Sequence, residues 1–258
     1  MLKPLRAGAL AELQRHSGIL PWHLRCLPVC TSTEDVLSAW LRTHPWDGRR
    51  PRAVIAGRQT CGQGQWNRQW QSPQGGVWLS AALPWSAAGT APGILGLAVA
   101  VTVAERLEPL GVPVAIKWPN DLLVQGRKLG GILPRMVHRG SEVRLARVGL
   151  GLNVANQVPT GAIALRDCPS RRPLRTHRRA LWTAEVMAAL DRAVQLAADP
   201  QAVCRATEAR LWTHQVQDPL SGEDWDVEGL RDDGALLLRR GTRTTSWTRW
   251  QDPPGSGL

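Results

Sequence analysis

Residues 59–76 constrain the fold most, because they are the part of the chain hardest to explain as a regular helix or strand. Gly62 and Gly64 flank a single residue. This spacing predicts a backbone with positive φ that approaches a ligand closely and meets negative charge with its N–H groups. Arg68 follows, and a guanidinium can bind phosphate or carboxylate at two points. We therefore expect a ligand-binding loop, although a glycine-rich surface hairpin explains the glycines equally well.

The glycine spacing excludes two common nucleotide-binding motifs. No Gly-Lys-Ser/Thr follows the glycines, so the stretch is not a Walker phosphate loop. No Gly-x-Gly-x-x-Gly opens a helix, as it does in Rossmann dinucleotide sites. Apolar runs at residues 52–56 and 77–83 predict strands that lead the chain into and out of the loop. The loop is thus expected to connect two strands of one sheet.

A second polar group follows a strand predicted at residues 114–118. This strand ends in Lys117, a proline-fixed turn, Asn120 and Asp121, and a hairpin over residues 124–128 brings in Lys128. The chain has only three lysines among its 32 basic residues. Two lysines so close together favour positions that need a compact ammonium rather than a planar guanidinium. A solvent-facing lysine on an ordinary hairpin, or chance, explains the same pattern.

The pattern elsewhere predicts helices, one further long strand and a small β unit. Polar residues 31–33 before two acids predict a helix cap, with Ser32 and Thr33 among the candidates. Helices are predicted at residues 91–110, 181–198 and 201–212. A strand at residues 143–153 alternates Gly149 and Gly151 before Asn153, which leaves room for a ligand flat against the backbone. Short alternating runs in residues 213–250 predict a small barrel or sheet.

Composition indicates a globular protein. With 258 residues, 43% of them hydrophobic, the chain can bury a core in one main domain with a small appendage. No apolar run is long enough to cross a bilayer, and the N-terminal stretch lacks a signal-peptide core, so we expect a cytoplasmic location. The five cysteines lack zinc-site spacing, and we interpret them as free thiols.

A formal net charge of +11 predicts attraction to polyanions, whether nucleic acid, nucleotide phosphates or an acidic protein. Charge alone does not choose among these partners. Six arginines cluster within residues 166–179, but without interleaved aromatic residues such a cluster is more often a solvated face than a nucleic-acid groove. We therefore expect no specific nucleic-acid binding.

Four ordered blocks resemble the biotin–protein ligase family, and the resemblance covers roughly residues 27–240, including Ser32-Thr33. The blocks are Gln59-Thr60-x-Gly62-x-Gly64-x-x-x-Arg68-x-Trp70-x-Ser72-Pro73-x-Gly75-Gly76, Lys117-Trp118-Pro119-Asn120-Asp121-Leu122, Lys128-x-x-Gly131-Ile132-Leu133 and Gly149-x-Gly151-x-Asn153. The resemblance implies an α+β catalytic domain with a mixed sheet at residues 1–212 and a small SH3-like β domain at residues 213–250. The Pro/Gly/Ser-rich residues 251–258 are expected to be disordered.

The resemblance also implies a reaction and a set of site residues. Biotin and ATP, with Mg²⁺, would form biotinyl-adenylate, and the biotinyl group would pass to a lysine of an acidic biotin carboxyl carrier protein domain. Metal ligands and the oligomeric state stay open. The implied catalytic residues are Lys117 and Arg68; the implied biotin-binding residues are Ser32, Thr33, Gln59, Gly62, Gly149 and Gly151; the implied nucleotide-binding residues are Gly64, Gln65, Trp70, Asn120, Asp121, Lys128 and Asn153.

The chain departs from the family pattern at several positions. Gln63 and Gln65 stand where the family usually has arginines, and Asn67 replaces a glycine. Pro134 and Arg135 occupy a region where a carboxylate often follows. About thirty residues precede Ser32, which we expect to be too few for the DNA-binding domain of some family members. A lipoate–protein ligase, or a biotin-binding protein without catalysis, remains as an alternative.

Overall fold

The computed structural model describes residues 21–44, 46, 48–85, 91–139 and 142–248. The predicted disorder of residues 251–258 lies outside this part of the chain. Within it, no helix is long and apolar enough to cross a membrane. All five cysteines are free thiols, as expected.

The centre of the molecule is an eight-stranded mixed sheet. Seven strands follow the order β1-β2-β4-β8-β7-β6-β5, and the short β3 pairs with β2. Only β1 and β2 are parallel, and the other neighbouring strands of this sheet are antiparallel. The strands are β1 (His23–Cys30), β2 (Arg52–Gln63), β3 (Gln69–Ser72), β4 (Val77–Leu83), β5 (Ala115–Lys117), β6 (Asp121–Val124), β7 (Arg127–Arg139) and β8 (Glu142–Leu152).

In the described part of the chain, four α-helices cover the two faces of this sheet. They are α1 (Thr33–Thr43), α2 (Pro92–Leu107), α3 (Arg179–Leu196) and α4 (Pro200–Glu208). On one face, α1 packs against β2 and β4 through Leu37 and Trp40. On the other face, α2 is buried along most of its surface and contacts β7, α3 and α4. Gly111 follows in the left-handed conformation at φ +85°, which agrees with the predicted end of this helical segment.

A second sheet lies near the C-terminus and has four antiparallel strands. These are β9 (Gln215–Gln217), β10 (Asp224–Leu230), β11 (Leu236–Arg240) and β12 (Arg243–Trp247). It is joined to the main sheet by a hydrogen bond from Trp118 Nε1 to the carbonyl of Gly234 at 2.9 Å. The α+β class, the mixed sheet and the small C-terminal β unit predicted from the sequence are therefore confirmed.

The largest difference from the sequence prediction concerns β2. The strand predicted at residues 52–56 continues to Gln63, and β3 covers residues 69–72, so half of the expected loop is sheet. Residues 59–63 lack the apolar pattern that predicts a strand. Gln59 pairs with Cys30 of β1, and residues 59, 62 and 63 pair with β3, so backbone pairing holds this stretch in an extended conformation. The predicted ligand-binding loop is consequently the tip of a β-hairpin.

Candidate active site

A cavity of about 390 Å³ lies between the β2–β3 hairpin, the start of α1 and the central strands of the sheet. Of the residues predicted for the site, Gly62 does not line this cavity. The predicted residues that do are Ser32, Thr33, Gln59, Gly64, Gln65, Arg68, Trp70, Lys117, Asn120, Asp121, Lys128, Gly149, Gly151 and Asn153. Blocks far apart in the sequence therefore converge on one pocket.

The hairpin tip differs from the predicted backbone. Gly64 has φ −114°, and Gly62 is likewise not among the residues with positive φ. Trp66 takes the left-handed conformation instead, at φ 58°, and is 56% exposed. Gly62 is needed for another reason, because a β-carbon there would lie 2.5 Å from the carbonyl oxygen of Trp70. The role of Gly62 is thus close packing inside the hairpin rather than exposure to a ligand.

One end of the cavity carries a connected set of hydroxyl and amide groups. Thr33 donates to Gln59 Oε1 from its backbone N–H at 2.7 Å and from Oγ1 at 2.9 Å. Gln59 Nε2 donates to Ser72 Oγ at 2.7 Å, and Thr33 Oγ1 lies 2.9 Å from Ser80 Oγ. Ser32 caps α1 by accepting from the N–H of Glu34 at 3.2 Å. These contacts make this end polar, uncharged and preorganised.

The other end contains the charged residues that follow β5. Lys117 is the last residue of β5 and is exposed to the cavity. Lys128 Nζ forms an ion pair with Asp121 Oδ2 at 2.7 Å, while Asp121 Oδ1 is buried without a hydrogen-bond partner among the described residues. Asn120 is fixed by donating from Nδ2 to the carbonyl of Ile132 at 2.9 Å. This end can therefore bind an anionic group.

The two glycines of β8, which were predicted to leave room for a ligand together, have different neighbours. A β-carbon on Gly151 would lie 2.5 Å from Trp70 Nε1, so the space left by this glycine is filled by the indole ring. The β-carbon of Gly149 would instead meet Leu133 at 3.3 Å. Lys128 Nζ lies 5.1 Å from the centre of the Trp70 ring. The part of the cavity wall at Gly151 is therefore formed by the Trp70 ring, which also contacts Lys128 at the charged end.

Asn153 and Gln63 are held by neighbours. Asn153 is 3% exposed, and its Nδ2 donates to the carbonyl of Lys128 at 3.3 Å. Gln63 Nε2 donates to Asp35 Oδ1 at 2.9 Å, which ties the hairpin tip to the first turn of α1. Gln65 is half-buried in the cavity lining. Of the two glutamines that replace family arginines, Gln65 is the better placed to meet a ligand.

The sequence analysis missed several lining residues, including Glu34, Trp66, Ser80, Leu133 and Ala162. Ser80 and Leu133 flank Gly149 on β4 and β7. Their place in the lining therefore follows from strand pairing once the register is known. The amino-acid pattern alone does not indicate it. The complete arrangement suits a ligand with a neutral polar ring at one end and anionic groups at the other. It can orient such a ligand and offset its negative charge.

Comparison with known proteins gives consistent results. The model of the Biotin/lipoate A/B protein ligase family matches residues 26–153. The chain is 34% identical over 160 residues to Bifunctional ligase/repressor BirA of Bacillus subtilis, covering 60% of this chain and 48% of that protein. It is 30% identical over 208 residues to biotin–[acetyl-CoA-carboxylase] ligase of Mycobacterium tuberculosis, covering 74% of each. The chain spans about half the length of several curated relatives that it matches.

The fold also matches a solved structure. Biotin protein ligase from Aquifex aeolicus, in complex with biotin and ATP, superposes with a TM-score of 0.68 at 22% identity. The match covers 87% of this chain and 94% of that one. The two proteins therefore share a fold.

Proposed function

We propose that this chain, which belongs to the biotin–protein ligase family, activates biotin with ATP and transfers it to a lysine of a biotin carboxyl carrier protein. The observation that carries the proposal is the polarity of the cavity. Thr33 and Gln59 lie at one end, Lys117 and Lys128 at the other, and about 390 Å³ joins them. A cyclic urea fits the first end, and the carboxylate and phosphates fit the second.

In the first step an oxygen of the biotin carboxylate attacks the α-phosphorus of ATP. The bond from that phosphorus to the bridging oxygen breaks, and pyrophosphate leaves. Because biotin supplies the nucleophile, the protein has to align two anions and offset their repulsion. Lys117 is proposed to lie between the carboxylate and the α-phosphate, with Arg68 on the hairpin above them. Asn120, Lys128 and Asn153 would bind the nucleotide.

In the second step a neutral lysine amine of the carrier attacks the carbonyl carbon of biotinyl-adenylate, and AMP leaves as the amide forms. We infer that the carrier domain is acidic, since the net charge of +11 favours encounter with such a partner. We place the reaction in the cytoplasm, where ATP is available. Catalysis is assigned to residues 1–212, and the β unit at residues 213–250 is proposed as a separate small domain.

Magnesium is proposed to arrive with ATP. Mg²⁺ commonly keeps several waters and binds to one or two carboxylates together with substrate phosphates. Asp121 Oδ1 fits such a role, because it is buried at the charged end and accepts no hydrogen bond from the described residues. No group of three or more His, Cys, Asp or Glu side chains that could hold a metal ion occurs in the described part of the chain.

One experiment separates this function from its alternatives. The protein is incubated with Mg²⁺, ATP, labelled biotin and an acceptor domain, and pyrophosphate and labelled acceptor are both measured. A ligase gives both products. Biotin binding without pyrophosphate would indicate a binding protein without catalysis, and faster labelling with lipoate than with biotin would indicate a lipoate ligase. Either result would overturn the proposal.

A further inference from the structure

A buried ion pair lies at the polar end of the cavity, where Glu34 is one of the lining residues. Glu34 is the second residue of α1 and is 5% exposed. Its Oε1 lies 2.7 Å from Nη2 of Arg147 on β8. The two residues are 113 positions apart in the chain. Neither belongs to the blocks that suggest biotin ligation, so the known motifs do not account for the pair.

Stability is a poor explanation for such a pair. Removing two charges from water costs several kcal/mol per ion, and replacement by apolar side chains of similar volume is often neutral or stabilising. Several polar atoms of the pair also lack a hydrogen bond to the described residues, among them Glu34 Oε2 and Arg147 Nε. A better-attested use of a buried pair is to fix one arrangement of the elements that carry it.

The contacts of Arg147 show which elements are fixed. Its Nη2 also donates to the backbone carbonyl of Glu34 at 3.1 Å and to Ser38 Oγ at 2.6 Å. One guanidinium thus holds two successive turns of α1. Alternate residues of a strand point to the same face, so Arg147 shares the face of Gly149 and Gly151. The pair therefore ties the start of α1 to the strand that forms the cavity wall.

The residue next to Glu34 is Thr33, whose position depends on this tether. Thr33 meets Gln59 Oε1 through two hydrogen bonds, and Gln59 Nε2 donates to Ser72 Oγ. Ser72 Oγ in turn donates to the carbonyl of Trp70 at 3.2 Å. A shift of the first turn of α1 would therefore displace the hydroxyl and amide groups at the polar end. This set of contacts approaches the charged end at Trp70, whose ring centre lies 5.1 Å from Lys128 Nζ, whereas Thr33 is the residue next to Glu34.

We propose that Glu34 and Arg147 are positioning residues for the biotin ring, acting through Thr33 and Gln59. The proposal rests on the proposed function, because it assigns the polar end to biotin. It predicts that loss of the pair weakens biotin recognition selectively. ATP recognition at the other end is expected to be nearly unaffected.

The test is a double variant, Glu34→Met with Arg147→Met, which removes the pair without leaving a buried charge. We expect KM for biotin to rise about tenfold, the equivalent of one lost hydrogen bond, with KM for ATP changed less than about twofold. Calorimetric titration of biotin should show the same weakening without ATP. Arg147→Lys keeps the ion pair but cannot hold three acceptors from one planar group, so it should give an intermediate biotin KM.

A matched control is available in another ion pair. Arg210 contacts both carboxylate oxygens of Glu108 at 2.6 and 2.8 Å, outside the cavity lining. Replacing this pair by two methionines should leave both KM values unchanged. If the Glu34/Arg147 double variant keeps the wild-type KM for biotin, or if KM for ATP rises equally, the positioning role is wrong.

Two further outcomes are distinguishable. Should the double variant fail to fold by circular dichroism, Arg147→Lys decides the question, and a wild-type biotin KM in that variant would overturn the inference. If the wild-type protein neither binds biotin nor releases pyrophosphate, the proposed function fails as well. A normal wild-type reaction with unaltered variants refutes the positioning role alone.

Discussion

The indole ring of Trp70 occupies the space that Gly151 leaves by having no side chain. A β-carbon at this position would lie 2.5 Å from both Cε2 and Nε1 of the ring. Trp70 belongs to β3, which is paired with β2, so its backbone cannot move away from Gly151 without moving the hairpin. The glycine and the tryptophan thus fit each other in shape. The effect of substituting either residue should therefore depend on the side chain at the other position.

Gly151→Ala is accordingly expected to destabilise the protein by about 1–3 kcal/mol, the usual cost of overpacking. Trp70→Leu combined with it should recover much of that loss, because the smaller side chain makes room for the methyl group. Urea unfolding of both single variants and the double variant gives the coupling energy. Additive effects of the two substitutions would show that the contact is not the cause.

Lys117→Arg should lower the rate of biotin-dependent pyrophosphate release by about 100-fold, comparable to losing one preorganised donor to a developing charge. The charge is kept, but a planar fork cannot occupy the space between two anions that a single ammonium fits. Arg127→Lys, at the exposed first residue of β7, is the control and should leave the rate unchanged. A normal rate in Lys117→Arg would contradict the role given to Lys117.

The basic surface should act in the transfer step. Raising the salt concentration from about 0.05 to 0.3 M shortens the range of charge attraction, so transfer of biotin to the carrier should slow several-fold. Formation of biotinyl-adenylate, measured with biotin and ATP alone, should change much less. Equal salt sensitivity of the two half-reactions would place the important charges at the nucleotide instead.

The strands and helices with strong apolar patterns were predictable from the sequence. Residues 77–83 form β4 with the predicted bounds, because every side chain of that strand is buried and the pattern is continuous. The extension of β2 to Gln63 was not predictable in the same way. Its residues carry no apolar pattern, and backbone pairing, with β1 at Gln59 and with β3 as far as Gln63, decides their conformation.

The residues of the candidate site likewise fall into those that the sequence predicts and those that it does not. Lys117, Asp121 and Lys128 lie close together in the sequence, and a local motif suffices to single them out. The inner position of Gly62 and the contact between Glu34 and Arg147 depend on how distant segments meet. No periodicity or spacing encodes such contacts, so they emerge only from the folded chain.

Asp191 gives a prediction about pH and stability. Burial raises its pKa to about 6, partly offset by a hydrogen bond from Trp22 Nε1 to Oδ2 at 3.1 Å. Because the folded-state pKa lies above the unfolded value of about 3.9, the stabilising contribution is complete below that value and is lost as pH rises through about 6.

Asp191→Asn keeps an oxygen acceptor for Trp22 but cannot ionise. We therefore expect it to raise the melting temperature at pH 8 by a few degrees and to change it little at pH 4. Thermal unfolding at the two pH values measures this difference. Asp232→Asn, at an exposed position, serves as the control. An equal effect of Asp191→Asn at both pH values would show that ionisation of Asp191 does not limit stability.

Gln65 replaces an arginine that the family usually places near the adenylate, and we expect biotinyl-adenylate to leave this protein faster as a result. A charge-assisted hydrogen bond is worth about 1.5–3 kcal/mol, so its loss would speed escape by roughly one to two powers of ten, partly offset by the amide donors of glutamine. Gln65→Arg should slow the release of preformed biotinyl-adenylate and reduce biotin on bystander proteins while labelling of the carrier is kept.

Gln63 is a weaker candidate for this role, because its amide is already committed to Asp35 at 2.9 Å. Gln217→Arg adds the same charge on the exposed β9 strand and controls for a general effect of net charge. If Gln65→Arg and the wild type release the adenylate at equal rates, another cation, such as Arg58 or Arg68, already meets the phosphate. In that event the existing arginine already replaces the charge missing at Gln65. Arg68→Gln alone should then speed the release of biotinyl-adenylate, and adding Gln65→Arg should restore the wild-type release rate.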